Sequence, residues 1–323
     1  MTRRTLIRAA LAAACLAAAH AAPAQSFPSR TVTIVVPFAP GGPTDQLSRA
    51  LAARMQESLG KPVIVENRPG TGGQIAAGAL RQAEADGHTL FVGATEMFAI
   101  NPTLYTKFAY DPAKDFAPVA AIAEMPMVLV VPKGSPAGSV QELIALARSR
   151  PGGLSYASQG PGSIGHMLGE LVRARTGAPL NHVPYKGSAP ALQDLVGGQV
   201  DMMFTGVSAA LPFVRGGKLR ALGVSGTRRL AALPEYAPVA DTVPGFEATT
   251  IYALMGPSAL PKDIVQRLST ELGRLVAEPG PRERLLALGA EPGGGPPEQL
   301  AAYIAREIPK WAKIVKAAKI RGE

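Results

Sequence analysis

Two stretches of this chain follow the same plan, and together they limit the fold more than any other feature. Thr31–Asp45, TVTIVVPFAPGGPTD, opens on an alternating, β-branched run at Thr31–Val36 that predicts a buried strand. Pro37, Pro40, Gly41, Gly42 and Pro43 end regular structure, and Leu47, Leu51 and Met55 then fall at helical spacing. Thr44 or Asp45 is the predicted cap of that helix. Further on, Leu154–Ser163, LSYASQGPGS, repeats the order of strand, glycine turn and capped helix, with Ser163 at the cap of a helix over Ile164–Arg175. Each such turn leaves backbone N–H groups aimed at one spot that the helix dipole makes mildly positive, a natural seat for an anion. A lone turn of this kind is equally an ordinary connection of an α/β domain. Its recurrence favours a clamp: two turns, one per domain, holding one carboxylate through backbone and Ser158 and Ser163 hydroxyl donors, without an arginine.

The rest of the chain keeps alternating. Strands are expected at Pro62–Glu66 and Thr89–Val92, with a helix from Gln74 to about Ala85 between them. Gly93–Phe98 reads as a loop at a strand's carboxyl end, where open α/β sheets bind ligands. Met125–Val131 is a further strand, and a new set of units starts there: helix Ser139–Ser149 with the stripe Val140, Leu143, Ile144 and Ala147, then the second glycine-turn unit. Strand Asn181–Pro184, turn Tyr185-Lys186-Gly187, helix Ala189–Val196, strand Val200–Phe204, helix Ser208–Gly216 and strand Leu219–Val224 follow at short, regular spacing. Phe246–Met255 is a long strand that returns the chain to the first domain. Three proline-started helices, Pro261–Ala277, Pro281–Leu288 and Pro296–Ala318, complete it, with Gly293–Gly295 as a plain loop and Trp311 packed in the core. Alternation of this kind predicts a parallel sheet with helices on both faces.

Met1–Ala24 carries Arg3, Arg4 and Arg8, an apolar run at Ala9–Ala19 and the small-residue end Ala22-Pro23-Ala24, which reads as a secretory signal cut before Gln25. The Arg3-Arg4 pair also fits a twin-arginine route. Cys15 is the only cysteine and is expected to leave with that segment, so neither disulfides nor thiols matter to the mature chain. About 299 residues then remain, comfortable for two domains, and loss of those three arginines takes the net charge from +9 to +6. This dispersed positive balance suits small anions. With aromatics only 5% of the chain and no basic stripe, it is a poor nucleic-acid footprint.

Enzyme readings are weak. Gly70–Gly73 lacks the G-x-G-x-x-G spacing and a placed acidic ribose partner. Ser158, Ser163, His166, His182 and Asp201 supply the residue types of a hydrolase triad, yet no G-x-S-x-G elbow occurs. The four histidines include no paired metal ligands. No catalytic residue, metal or cofactor is therefore assigned.

The runs PFAPGGPTDQLSR, VENRPGTGG, AINPTLY, YASQGPGSIGHMLGE, VPYKGSAPALQDLVGGQVDMMF and GKLRALGVSG, in this order across the mature chain, resemble the Bug-type periplasmic solute-binding proteins, the extracytoplasmic receptors of tripartite tricarboxylate transporters. The resemblance implies an α/β, two-lobed periplasmic-binding-protein fold (Venus flytrap, type II-like) with two crossovers. The domains would be residues 25–124 plus 250–323, and residues 125–249. It implies a carboxylate gripped by Phe38, Ala39, Gly41, Gly42, Thr44 and Asp45 on the first loop and Ser158, Gly160, Gly162 and Ser163 on the second. Thr95 and Glu96, Tyr185 and Gly187, and Asp201 and Phe204 would shape the rest of the pocket. Where the family often has a Thr-His pair before the Ala-x-Asn-Pro segment, Met97-Phe98 follow Glu96 here. If Glu96 faces the cleft, a second ligand carboxylate is repelled; if Met97 and Phe98 do, an aromatic or aliphatic monocarboxylate is favoured. The expected ligand is an amino acid, a dicarboxylate or an aromatic monocarboxylate. The expected partners are membrane transporter subunits, the protein itself being a monomer; an exported hydrolase and a sensor acting on a signalling partner are the alternatives.

Overall fold

A computed structural model describes residues 27–38, 40, 43–287 and 289–321, apart from the side chains of Pro43 and Thr71. The expected export segment with Cys15, the expected cleavage point before Gln25, and the turn residues Ala39, Gly41 and Gly42 lie outside the described residues. The chain begins β1 (Val32–Val36), α1 (Pro43–Leu59), β2 (Val63–Asn67), α2 (Gln74–Arg81) and β3 (Thr89–Ala94). A π-helical turn over Glu96–Ile100 then runs into the short α3 (Asn101–Leu104), so helix replaces the loop expected after β3. Next come β4 (Phe116–Pro132), α4 (Val140–Ser149), β5 (Leu154–Ser158), α5 (Ile164–Thr176) and β6 (Leu180–Pro184). The remainder is α6 (Ser188–Val196), β7 (Met202–Gly206), α7 (Val207–Arg215), β8 (Leu219–Val224), β9 (Thr249–Pro257), α8 (Lys262–Ala277), α9 (Pro279–Ala287), β10 (Glu291–Gly294) and α10 (Pro297–Ala317).

β1 is buried along its length except at Thr33, as a strand covered on both faces must be. It pairs in parallel with β2 on one side and β3 on the other. The expected all-parallel sheet ends there, because β9 lies antiparallel to both β3 and β4. β4 is the strand on which everything else hangs. Its first part, Phe116–Pro126, pairs with β9, and from Met127 onward it pairs with β7 and β8 instead. Beyond β7 lie β5 and then β6, in parallel. At ~3.3 Å per residue a 17-residue strand is about 56 Å long, enough to serve two half-sheets in turn. Pro118 and Pro126 break its ladder, and the pairing slips by a residue at Pro118/Ala120 and Ala121/Ala123.

The changeover is riveted by Ser225, which is fully buried. Its hydroxyl accepts the Met127 N–H at 2.8 Å and donates to the Ala248 carbonyl at 2.6 Å, joining β4, the end of β8 and the entry to β9. The Gly293–Gly295 segment also departs from expectation. Gly293 and Gly294 belong to β10, antiparallel to β4, and a Cβ on Gly293 would sit 2.5 Å from the Ala121 carbonyl oxygen. Only glycine lets the strands come that close.

Apolar cores lie on both half-sheets. One gathers Val32, Ile34, Leu90 and Leu254 with Leu268 and Leu272 of α8; another gathers Tyr156, Met167, Leu168, Met202 and Phe204. α10 belongs to both sides: Leu300 and Ile304 pack with Phe91 and Ile251, whereas Trp311, Ile314 and Val315 pack with the residues around α5. Trp311 is fully buried there, as expected. The predicted α4 stripe holds at Val140, Leu143 and Ala147, with Ile144 partly buried, and Ser139 caps the helix by accepting the Glu142 N–H.

Candidate functional site

The first corner joins β1 to α1. Pro43 takes the first helical position, where its missing N–H costs nothing, so Thr44 and Asp45 lie inside the first turn instead of at the cap. Both are buried. Asp45 Oδ1 accepts from Asn67 Nδ2 at 2.9 Å, and Oδ2 accepts from Arg49 Nε at 3.0 Å. The same Asn67 amide donates to the Phe38 carbonyl at 2.9 Å. Asn67, the last residue of β2, thus ties the turn to that strand, and Phe38 itself is exposed. Asp45 braces the corner, and its charge suits the positive end of α1. The Thr44 side chain lies against the hydroxyl of Tyr252 on β9, a neighbour that sequence spacing could not reveal.

The second corner joins β5 to α5. Ser163 caps the helix as predicted, accepting the His166 N–H while donating to the Gly160 carbonyl at 2.7 Å. Gly160 and Gly162 have φ of 129° and 74°, and a Cβ on Gly162 would lie 2.1 Å from a Leu104 methyl carbon. Glycine is required there for both reasons. Ser158 is fully buried; its Oγ lies 2.7 Å from His182 Nε2 and accepts the Gly160 N–H at 3.1 Å. His166 Nδ1 accepts the Gly162 N–H at 3.1 Å, and the two imidazoles stack with centroids 3.7 Å apart. Burial pushes both histidines down to about 4, so they are neutral through the physiological range.

Between these corners lies the segment after β3. Thr95 is pinned, its Oγ1 accepting the Ile251 N–H at 2.8 Å and lying 3.2 Å from the Tyr303 hydroxyl of α10. Met97 and Phe98 point into the core, where Phe98 meets Phe91 edge-on. Glu96 turns the other way. The Ile164 N–H at the start of α5 faces its carboxylate, while its Oε2 is buried without a hydrogen-bond partner among the described residues. Burial pushes this carboxyl up, and the backbone N–H groups of Glu96 and Ile164 draw it back in part. Glu96 also faces Tyr252, which is pushed up chiefly by burial and then by that carboxylate. A chain of neighbours therefore runs from Thr44 through Tyr252 and Glu96 to Ile164, linking the starts of α1 and α5.

Other expected residues are placed elsewhere. Asp201 sits at the amino end of β7, beside Ser155 and at the other end of β5 from Ser158; its Oδ2 accepts from the Ser155 N–H and hydroxyl at 2.8 and 2.7 Å and Oδ1 pairs with Arg150. It fastens β5 to β7 and completes no triad with His182. Phe204 is a core residue stacked on Phe246, because its place in β7 turns the ring inward. Tyr185 donates to Asp194 Oδ2 at 2.7 Å, and burial, with Asp194, pushes its hydroxyl up to about 12. Gly187 precedes α6 with φ of 113°, and Lys186 is exposed. The buried hydroxyls of Thr205 and Thr250, both beside the β4 changeover, have no hydrogen-bond partner among the described residues. Among the described residues no cluster of acidic, histidine or cysteine side chains could hold a metal, and no helix is long and apolar enough to cross a membrane.

Two half-sheets sharing one long strand, with the starts of α1 and α5 linked through Tyr252 and Glu96, make an α/β fold of the periplasmic solute-binding type. Residues 47–320 match the family described as tripartite tricarboxylate transporter family receptor, and the chain belongs to that family. Protein BugT of Bordetella pertussis is 36% identical over 293 residues, which cover 90% of each chain. Among solved structures, an R. palustris protein with adipate is 39% identical, with a TM-score of 0.82 over 91% of this chain and 99% of that one. MatC from Rhodopseudomonas palustris with bound malate is 37% identical, with a TM-score of 0.77 over 90% of this chain and 100% of that one. The Bug-type resemblance read from the sequence is thereby established, and the family is one of receptors, not enzymes.

Proposed function

We propose that this protein captures a small organic carboxylate between the turns that precede α1 and α5, and presents it to the membrane subunits of a tripartite transporter. The run of neighbours Thr44, Tyr252, Glu96 and Ile164 supports this best, since it links two anion-favouring helix starts. The lobes of this reading are residues 25–124 with 250–323, and residues 125–249. They hinge where β4 changes partners and where the chain re-enters β9, and α10 straps both. Backbone amides of the two turns hold the head group; Thr95, Tyr185 and Gly187 frame the walls. Ligand binds the closed form more tightly and so shifts the hinge equilibrium. Dicarboxylates are the class to test first, because the two relatives above hold adipate and malate. The protein works as an exported monomer, cut before Gln25, and performs no turnover.

Thermal unfolding and calorimetry with adipate, malate, aspartate, nicotinate and a neutral sugar test this. A carboxylate at 100 times its Kd should add about 2.7 kcal/mol of stability, with no hydrolysis of a chromogenic ester. Stabilisation by the sugar alone, or ester turnover lost in Ser158→Ala, would contradict it.

A further inference from the structure

The carboxylate nearest the start of α5 belongs to the protein. Ile164 N–H is one of the donors that a helix cannot satisfy from within. The His166 N–H is taken by Ser163 and the Gly162 N–H by His166 Nδ1, while Ile164 faces Glu96. Among the described residues Glu96 forms no ion pair, and its Oε2 is buried with no partner. The titratable groups around it bring no positive charge. Tyr252 on β9, which faces it, is held protonated; on the flanking elements, His166, two residues past Ile164 on α5, is held neutral, and Tyr303 on α10, which reaches Thr95, is held protonated. A buried carboxylate without a cation favours its neutral form, and only the backbone N–H groups oppose that.

We propose that Glu96 is an internal ligand: it occupies the α5 anion seat while the cleft is empty, and takes up a proton when a solute carboxylate claims that seat. The inference rests on the clamp reading above. Two carboxylates sharing one seat cannot both remain charged, so the incoming anion favours the protonated form of Glu96. The protonated group becomes a donor and offers its O–H to the solute oxygen, with the proton supplied by solvent. Affinity then falls by about tenfold per pH unit once Glu96 is ionised in the free receptor. Solute release is favoured wherever the pH rises. Glutamine has the same shape and donates an N–H permanently, so Glu96→Gln mimics the receptive state.

The ligand-free test follows the Glu96 carboxyl by ¹³C NMR against pH, assigned by its loss in Glu96→Gln. A midpoint above the ordinary glutamate value of ~4.3 is expected, together with a higher Tm for Glu96→Gln at pH 8 that converges with wild type towards pH 4.5. An ordinary midpoint, or a variant no more stable at pH 8, overturns the proposal. Calorimetry with adipate at pH 8 in two buffers of different ionisation enthalpy should show uptake approaching one proton in wild type and none in the variant. The variant should bind at least tenfold tighter. Equal affinity with equal proton uptake overturns the proposal even if the clamp holds. Failure of every carboxylate to bind either protein counts against the clamp, and the ligand-free midpoint still decides the state of Glu96.

Discussion

The two strand–turn–helix corners look alike in sequence and are held in different ways. The first is braced by charge: Asp45 accepts from Arg49 and Asn67 at the positive end of α1. The second is braced by a neutral network, in which Ser158 meets His182, His182 stacks on His166, and His166 takes the Gly162 N–H. A corner tied by an aspartate and an arginine keeps its bonds through the physiological range. A corner tied by two buried imidazoles keeps them only while both stay uncharged. The difference places acid sensitivity in the second corner and leaves the first as a fixed abutment.

The largest expected effect comes from breaking the second corner sterically. Gly162→Ala meets both a positive φ and the Leu104 side chain, and should cost about 3 kcal/mol in urea unfolding. Gly177→Ala, with φ of 67° and nothing within 4 Å, should cost only about 1 kcal/mol, so the difference isolates the contact. Ser158→Ala removes a buried hydroxyl that serves both His182 and Gly160, and should cost about 1–3 kcal/mol. Ser225→Ala, at the β4 changeover, should cost a similar amount by stranding the Met127 N–H and the Ala248 carbonyl.

Acid should sharpen the contrast between the corners. His166 and His182 titrate at about 4 in the folded protein, against ~6.5 when unfolded. The unfolded chain therefore binds more protons between those values, and stability falls as pH drops from 6.5 towards 4. Near pH 5 unfolding should take up ~2 protons through this pair. His166→Gln with His182→Gln should flatten that slope, measured by urea midpoints across pH. The smallest effect on function is expected from Asp201→Ala. It should lose stability by freeing β5 from β7, and leave ligand affinity unchanged within error, because Asp201 lies at the amino end of its strand.

Much of this arrangement could be read from local pattern. β-branched runs, glycine turns and Ser163 define the two corners, since strand propensity and helix capping act over a few residues. What escaped is long-range or weakly patterned. Phe116–Glu124 is alanine-rich and interrupted by Pro118, so the first half of β4 carries no clear alternation, and its role as the strand common to both half-sheets stayed hidden. The antiparallel direction of β9 depends on a partner far away in sequence, and β10 depends on the close approach of Gly293 to Ala121. Within the site, Glu96 was legible as the residue beside the Met97-Phe98 departure from the family pattern, whereas nothing local to Tyr252 marked it as the neighbour of Thr44. Phe204 and Asp201 were drawn in by their motif, and the period-two geometry and direction of β7 send one inward and the other to the far end.

The claim on which everything turns is that both helix starts meet the same carboxylate. Titration of ¹⁵N-labelled protein with the tightest-binding carboxylate tests it directly, through the amide resonances of Thr44 and Ile164. Saturable shifts of both with one shared Kd are predicted. A shift confined to one side, or two distinct constants, would contradict the account.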